Sequence, residues 1–207
     1  MERREALKNL GFGSMALFTT TALFGALQGC SSTPAVVWRP VFLSLSEAAQ
    51  LEQICEGILP KTATPGATDA GVANHLDQAL SVIYKNREAD FFKKGMAVFV
   101  DRFGDNSEVK FGKATTEEIT DVINGYFKKY KADEAILKNY RFTFNDGGDK
   151  TDDFLETYFV TNVVDSTFWS YFTSELVGKE VMRYDPIPGG YEGCIPYTKG
   201  DKSWSSV

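Results

Sequence analysis

One histidine and three cysteines occur among the 207 residues. The first count excludes a zinc site built on several imidazoles. The second excludes a four-cysteine iron–sulfur cluster held by this chain alone. No Cys-x-x-Cys-His occurs, so a c-type haem has no attachment site. Basic charge is in short supply too: 22 Lys+Arg stand against 28 Asp+Glu, for a net charge of −6. Domains that grip a phosphate backbone are ordinarily basic, so no nucleic-acid partner is expected. The nucleophile elbow, the zinc-protease helix motif and the phosphate-binding Walker loop are all missing. What remains is an ordinary globular balance, 43% hydrophobic and 24% charged, with 16 Phe and 9 Tyr. The length suits one domain with a sizeable core and a tail.

The first thirty residues read as an export address. A charged start carrying Arg3, Arg4 and Lys8 precedes an apolar run that ends at Leu27. Gly11, Gly13, Gly25 and Thr19 to Thr21 dilute that run, which is too weak for a bilayer span of about 20 apolar residues. The Arg3-Arg4 pair resembles a twin-arginine motif, although Ala6 stands where that motif prefers Phe. Leu27-Gln28-Gly29-Cys30 resembles a bacterial lipobox, with Cys30 as the lipidated residue. Two acidic and three basic side chains lie ahead of it, so cleavage before Cys30 removes a net +1 and leaves −7. The signal is assigned to 1–29. A tether interrupted by Pro34 and Pro40 follows over 30–43, with Trp38 either docked on the domain, the preferred reading, or lying at the lipid interface.

Residues 44–207 are expected to form a single all-α domain, a compact bundle of about five to seven helices with an extended Pro/Gly-rich C-terminal tail. Ser44 and Glu47 make a capping box, and Leu51, Ile54, Cys55, Ile58 and Leu59 follow at helical spacing until Pro60. A second helix is expected to start with Asp69 as its cap and to bury Val72, Leu76, Ala79, Leu80 and Ile83. A third covers 86–103, with Phe92, Met96, Phe99 and Phe103 on one face. Thr115 and Glu118 open a fourth, and a short fifth lies around 133–140, with 142–144 extended. The aromatic stretch 152–177 reads as two helices meeting near Asp165 and Ser166. Its aromatic stripe, including Phe168, Trp169 and Phe172, is expected in the core. From about residue 178 periodicity is lost, and the run of Pro and Gly through Pro196 is incompatible with a helix or a central strand.

The body offers little chemistry. His75 has no recognisable nucleophile or orienting acid in sequence and reads as structural. The carboxylates Glu117, Glu118, Asp149, Asp152 and Asp153 are compatible with a paired-carboxylate hydrolase, and helix starts and acidic loops account for them as well. The turn 146–149 lacks the calcium-loop spacing. With Cys30 lipidated, Cys55 and Cys194 remain in an oxidising compartment. A Cys55–Cys194 bridge is slightly preferred. It competes with a buried Cys55 thiol and with a bond from Cys194 to a partner chain.

Pro60-Lys61-Thr62-Ala63-Thr64-Pro65-Gly66-Ala67, then Ala70-Gly71-Val72, resembles the signature of the gluconate 2-dehydrogenase subunit 3 family. Tyr171-Phe172-Thr173-Ser174-Glu175 and the tail Pro188-Gly189-Gly190-Tyr191, continuing to Gly193-Cys194 and Pro196, resemble that family's C-terminal end. The resemblance implies a helical small subunit of a membrane-bound, FAD-dependent sugar or sugar-acid dehydrogenase. It places FAD and catalysis on a large flavoprotein partner and no cofactor in this chain, and it allows for a cytochrome c subunit. It implies a role in maturation and export of the partner. The lipobox departs from the pattern and suggests that this subunit attaches the complex to a bacterial membrane. On this reading Thr64, Pro65, Gly66 and Ala67, with Pro188, Gly189, Gly190 and Tyr191, are the partner-contact candidates. The alternative is a stand-alone lipoprotein binding a carbohydrate or peptide in a cleft lined by Trp169, Tyr171 and Tyr191. A hydrolase using His75 ranks third.

Overall fold

The computed structural model describes residues 36–144 and 150–184, together with positions 189, 194, 196 and 198–204. All lie within Ala35–Val207, the second of the two units into which the chain divides. The export pair Arg3 and Arg4, Cys30, the turn 145–149 and the tail residues Pro188, Gly190 and Tyr191 fall outside the described residues. Among the described residues the fold is all-α, as expected. It comprises α1 (Leu45–Ile58), α2 (Val72–Val82), α3 (Asn86–Arg102), α4 (Thr116–Ala132), α5 (Glu134–Phe144), α6 (Asp152–Phe172) and α7 (Glu175–Glu180).

Both capping boxes form. The Ser44 amide donates to Glu47 at 2.8 Å and the Thr115 amide to Glu118 at 2.7 Å. Each satisfies backbone donors that a helix start otherwise leaves open. The apolar periodicity then decides what is buried. Leu51, Ile54 and Cys55 of α1, Phe92, Met96 and Phe99 of α3, and Ile119, Val122, Ile123, Tyr126 and Tyr130 of α4 all enter one core. Edge-to-face aromatic pairs fill its centre, with Phe92 and Phe159 at 5.0 Å and Phe103 and Phe111 at 5.3 Å between ring centroids. The α3–α6 interface is the most extensive in the bundle. Gly95 makes it close: a Cβ there would stand 2.2 Å from the Leu155 carbonyl oxygen.

Several boundaries differ from the sequence expectation. Helix α2 starts at Val72 behind Gly71, and Asp69 does not cap it because its carboxylate turns back to the preceding loop. Ile83 lies just beyond the helix and is exposed. Helix α5 runs on through Phe144, so residues 142–144 are helical rather than extended. Helix α6 is one continuous helix of 21 residues. The segment Thr161-Asn162 does not break it, because the Thr161 hydroxyl donates to Thr157 O at 2.7 Å and the Asn162 amide to Tyr158 O at 2.7 Å. Polar side chains that bond back to the preceding turn are compatible with a helix interior. The sequence reading did not identify α7, which Ser174 caps.

Ahead of α1, residues 36–43 form an irregular strap with Val36, Trp38 and Phe42 packed against the core. The carboxylate of Asp77 on α2, fully buried, grips this strap. It accepts the amides of Val41 at 2.5 Å, Phe42 at 3.2 Å and Leu43 at 2.8 Å. At the other end of the chain, Arg183 donates its amide to Ser203 O at 2.7 Å and lays its guanidinium over Trp204 at 4.2 Å. That contact places Ser203 and Trp204 beside Arg183, three residues beyond the end of α7.

Candidate functional site

The loop between α1 and α2 is built by carboxylates rather than by packing. Glu56, in the last turn of α1, accepts the amides of Lys61 and Thr68, each at 2.9 Å. Gly66 is required beside it, since a Cβ there would come within 2.5 Å of the Glu56 carboxylate and 2.8 Å of the Lys61 amide. Asp69 accepts the Gly66 amide at 3.0 Å and the Lys61 ammonium at 3.1 Å. Those two hydrogen bonds hold its carboxyl below the ordinary range. The loop therefore presents a fixed backbone. Thr62, Ala63 and Thr64 are exposed, Pro65 is half-buried, and Gly66 and Ala67 are buried. Of the four candidate contact residues in this loop, Thr64 and Pro65 reach the surface, whereas Gly66 and Ala67 support it from within.

The C-terminal half of α6 lies against this loop. The Tyr171 hydroxyl donates to Pro65 O at 2.7 Å. Tyr171 is itself buried, so it does not line a cleft. Small and polar residues take the inward positions of this half-helix. Thr167 is fully buried with its hydroxyl 3.5 Å from the Cys55 sulfur, and Ser170 is buried against α2. The large aromatics are left outside: Phe168 is 41%, Trp169 54% and Phe172 42% exposed. This overturns the expectation that the stripe belongs to the core. A helix apolar on every side is ordinarily buried, yet the outer side of this half of α6 is left uncovered among the described residues. The inward Thr167 and Ser170 carried the signal in the sequence, because small polar side chains mark the close-packed side.

His75 closes the site. Its Nδ1 lies 3.0 Å from the Ser170 hydroxyl, and its ring stacks on Trp169 at 5.1 Å between centroids. A cleft of about 450 Å³ opens beside this pair, lined by Ala70, His75, Trp169, Ser170, Thr173, Ser174 and Glu175. The hydrogen bond orients the imidazole, and the stack fixes the Trp169 ring at the surface. Ser170 is the hydrogen-bond partner of the His75 imidazole among the described residues, and no carboxylate completes a nucleophilic triad there. The arrangement is a rigid platform that presents an aromatic face.

The two cysteines within the domain are not joined. Cys55 is buried in α1, where burial pushes its thiol up to about 12, and Cys194 is exposed. Cys55 lies in the core, and the Cys55–Cys194 bond preferred from sequence is not present in the structure. Among the described residues, no three His, Cys, Asp or Glu side chains gather to hold a metal ion, and no helix is long and apolar enough to cross a membrane.

Residues 46–189 match the family model described as gluconate 2-dehydrogenase subunit 3. The chain belongs to that family. No curated protein and no solved structure matches it. The matched span runs from the second residue of α1 through α7 and ends at Gly189. The tail that resembles the subunit 3 signature runs past that end, whereas the other two such segments, the loop before α2 and the end of α6, lie inside the span. The structure brings them together through Tyr171 and Pro65. The strap and Cys30 precede the matched span.

Proposed function

We propose that this chain is the non-catalytic small subunit of a membrane-associated, FAD-dependent sugar or sugar-acid dehydrogenase. It assists maturation and export of a flavoprotein subunit and attaches it to the cell envelope. FAD and the oxidation chemistry belong to that partner. The Arg3-Arg4 signal directs export, and a lipid on Cys30 holds the complex to a bacterial membrane; a cytochrome c subunit is an optional third member. One observation carries the reading. Two of the segments that resemble the family's signature meet at the Tyr171–Pro65 hydrogen bond, and beside it stand Phe168, Trp169 and Phe172, exposed among the described residues. Contiguous exposed aromatics of this kind are enriched at protein interfaces. The flavoprotein is the occupant proposed for this face, with Thr64 and Pro65 at its edge. Gly189, and the neighbouring Pro188, Gly190 and Tyr191, are proposed to extend the contact.

The test is purification of the chain from its native membrane in mild detergent, followed by a visible spectrum. A flavoprotein that comes through with it, with flavin absorbance in proportion, is the expected result. Recovery of the chain alone contradicts the proposal. The cleft beside Trp169 favours one second reading, a lipoprotein that binds a sugar unaided. Saturable binding of a sugar to the isolated chain, with no second protein present, would support that reading instead.

A further inference from the structure

The strap ahead of α1 has two sides. Val36, Trp38 and Phe42 turn inward onto the core, while Val37, Arg39 and Val41 turn outward. Val37 is wholly exposed, Val41 is 70% exposed, and Leu45, the first residue of α1, is 67% exposed. These three β-branched or aliphatic side chains recur every four residues with one cation, Arg39, among them. They are not on a loose tail. The Asp77 carboxylate holds the amides of Val41, Phe42 and Leu43, and the Lys93 ammonium sits 5.7 Å over the Phe42 ring. The bundle therefore fixes an apolar ridge in place and leaves it facing outward.

Chain length indicates what covers it. Five residues separate Cys30 from Val36, and the six residue steps between them, fully extended, reach about 20 Å. A lipid on Cys30 thus confines the ridge to within roughly that distance of a bilayer surface. Apolar side chains with an interspersed cation suit an interface of acyl chains and anionic headgroups. We propose that Val37, Val41 and Leu45 insert into the lipid surface, so that the domain lies against the membrane in one orientation instead of swinging on a free tether. This rests on the lipid anchor included in the proposed function. Asp77 is the positioning residue, since it holds the ridge to α2. His75, two residues away, lies about 200° around the same helix and supports the Trp169 face. The partner-docking face is therefore turned away from the lipid.

The test uses the exported full chain with Cys194→Ser. Cys30 is then lipidated and Cys55 is buried, so an introduced cysteine is the one reactive thiol. An environment-sensitive fluorophore is placed in turn at Val37→Cys, Val41→Cys and Glu117→Cys; Glu117 is exposed near the far end of α1. The labelled proteins are incorporated into vesicles of phosphatidylethanolamine and phosphatidylglycerol that contain a spin-labelled lipid quencher. The mass of the N-terminal peptide is read in parallel. The expected result is a lipidated Cys30, with quenching at 37 and 41 several-fold greater than at 117. A Leu45→Cys label is expected to lose its quenching when Val37→Asp and Val41→Asp are combined, since neither substitution touches the core. A lipidated Cys30 with labels at 37 and 41 as weakly quenched as the one at 117 overturns the docking and leaves the anchor standing. An N-terminal peptide without lipid overturns both.

Discussion

The Tyr171 hydroxyl reaches Pro65 across 106 residues of sequence and donates to its carbonyl oxygen at 2.7 Å. Tyr171→Phe removes the donor and leaves that carbonyl short of a partner, at a cost of about 1 kcal/mol. The core is otherwise unchanged, so the effect should be local. Amide hydrogen exchange over residues 61–68 should speed up, while α3 and α4 keep their wild-type protection. Unchanged exchange in the loop would show that the carboxylates of Glu56 and Asp69 fix it without help from α6.

Asp77 is fully buried and serves three consecutive amides of the strap. Asp77→Ala strands those donors, each at roughly 1–3 kcal/mol when left unsatisfied. We expect the strap to detach, which lets water satisfy the amides and limits the loss to a few kcal/mol. Denaturant melts should show the lower stability. Proteolysis should cut within 36–43 in the variant but not in the wild type.

The two cysteines should react very differently. Burial pushes the Cys55 thiol up to about 12, so it carries almost no thiolate at neutral pH, while Cys194 is exposed. A thiol reagent should modify one domain cysteine in the native protein, Cys194, and a second only after denaturation. Protection of both without reductant, released by reductant, would show that the bridge forms after all.

The capping boxes set a pH dependence. Hydrogen bonds from Thr115 hold the Glu118 carboxyl below its ordinary range. Burial pushes Glu47 up, but the hydrogen bonds from Ser44 and the Lys93 ammonium outweigh it, so its carboxyl is also held low. A carboxylate with a depressed folded pKa stabilises the fold above its unfolded value, about 4.3, and that contribution fades as pH falls through the folded value. Thermal melts should be level from about pH 7 to 5 and then drop below about pH 4. Glu118→Gln keeps the cap geometry and should make that drop shallower.

The helices were legible because apolar spacing and end signals agree. Ser44 with Glu47 and Thr115 with Glu118 mark helix starts without reference to tertiary structure, and Phe92, Met96 and Phe99 can share only one face. Asp69 misled because a carboxylate ahead of a helix is a good cap in isolation; the Gly66 amide and Lys61 compete for it. The aromatic end of α6 misled for the opposite reason. Spacing identifies a face but not its direction, and here Thr167 and Ser170 face α1 and α2 while Phe168, Trp169 and Phe172 face outward. The loop before α2 was legible as a motif, yet its chemistry was not. Gly66 and Ala67 are buried, and the Glu56 carboxylate approaches Gly66, so both serve the loop's own geometry.

The central claim is that a flavoprotein docks on the face formed by the α1–α2 loop and the end of α6. The most direct test is the flavin absorbance, relative to total protein, of the complex recovered from membranes with the wild-type chain and with Trp169→Ala combined with Phe172→Ala. Both residues are exposed, so the variant should fold as the wild type does. The account predicts a stoichiometric flavin signal with the wild type and a loss of about tenfold or more in the variant, as befits two aromatic contacts at the centre of an interface. An undiminished flavin signal in the variant, or none with the wild type, would contradict it.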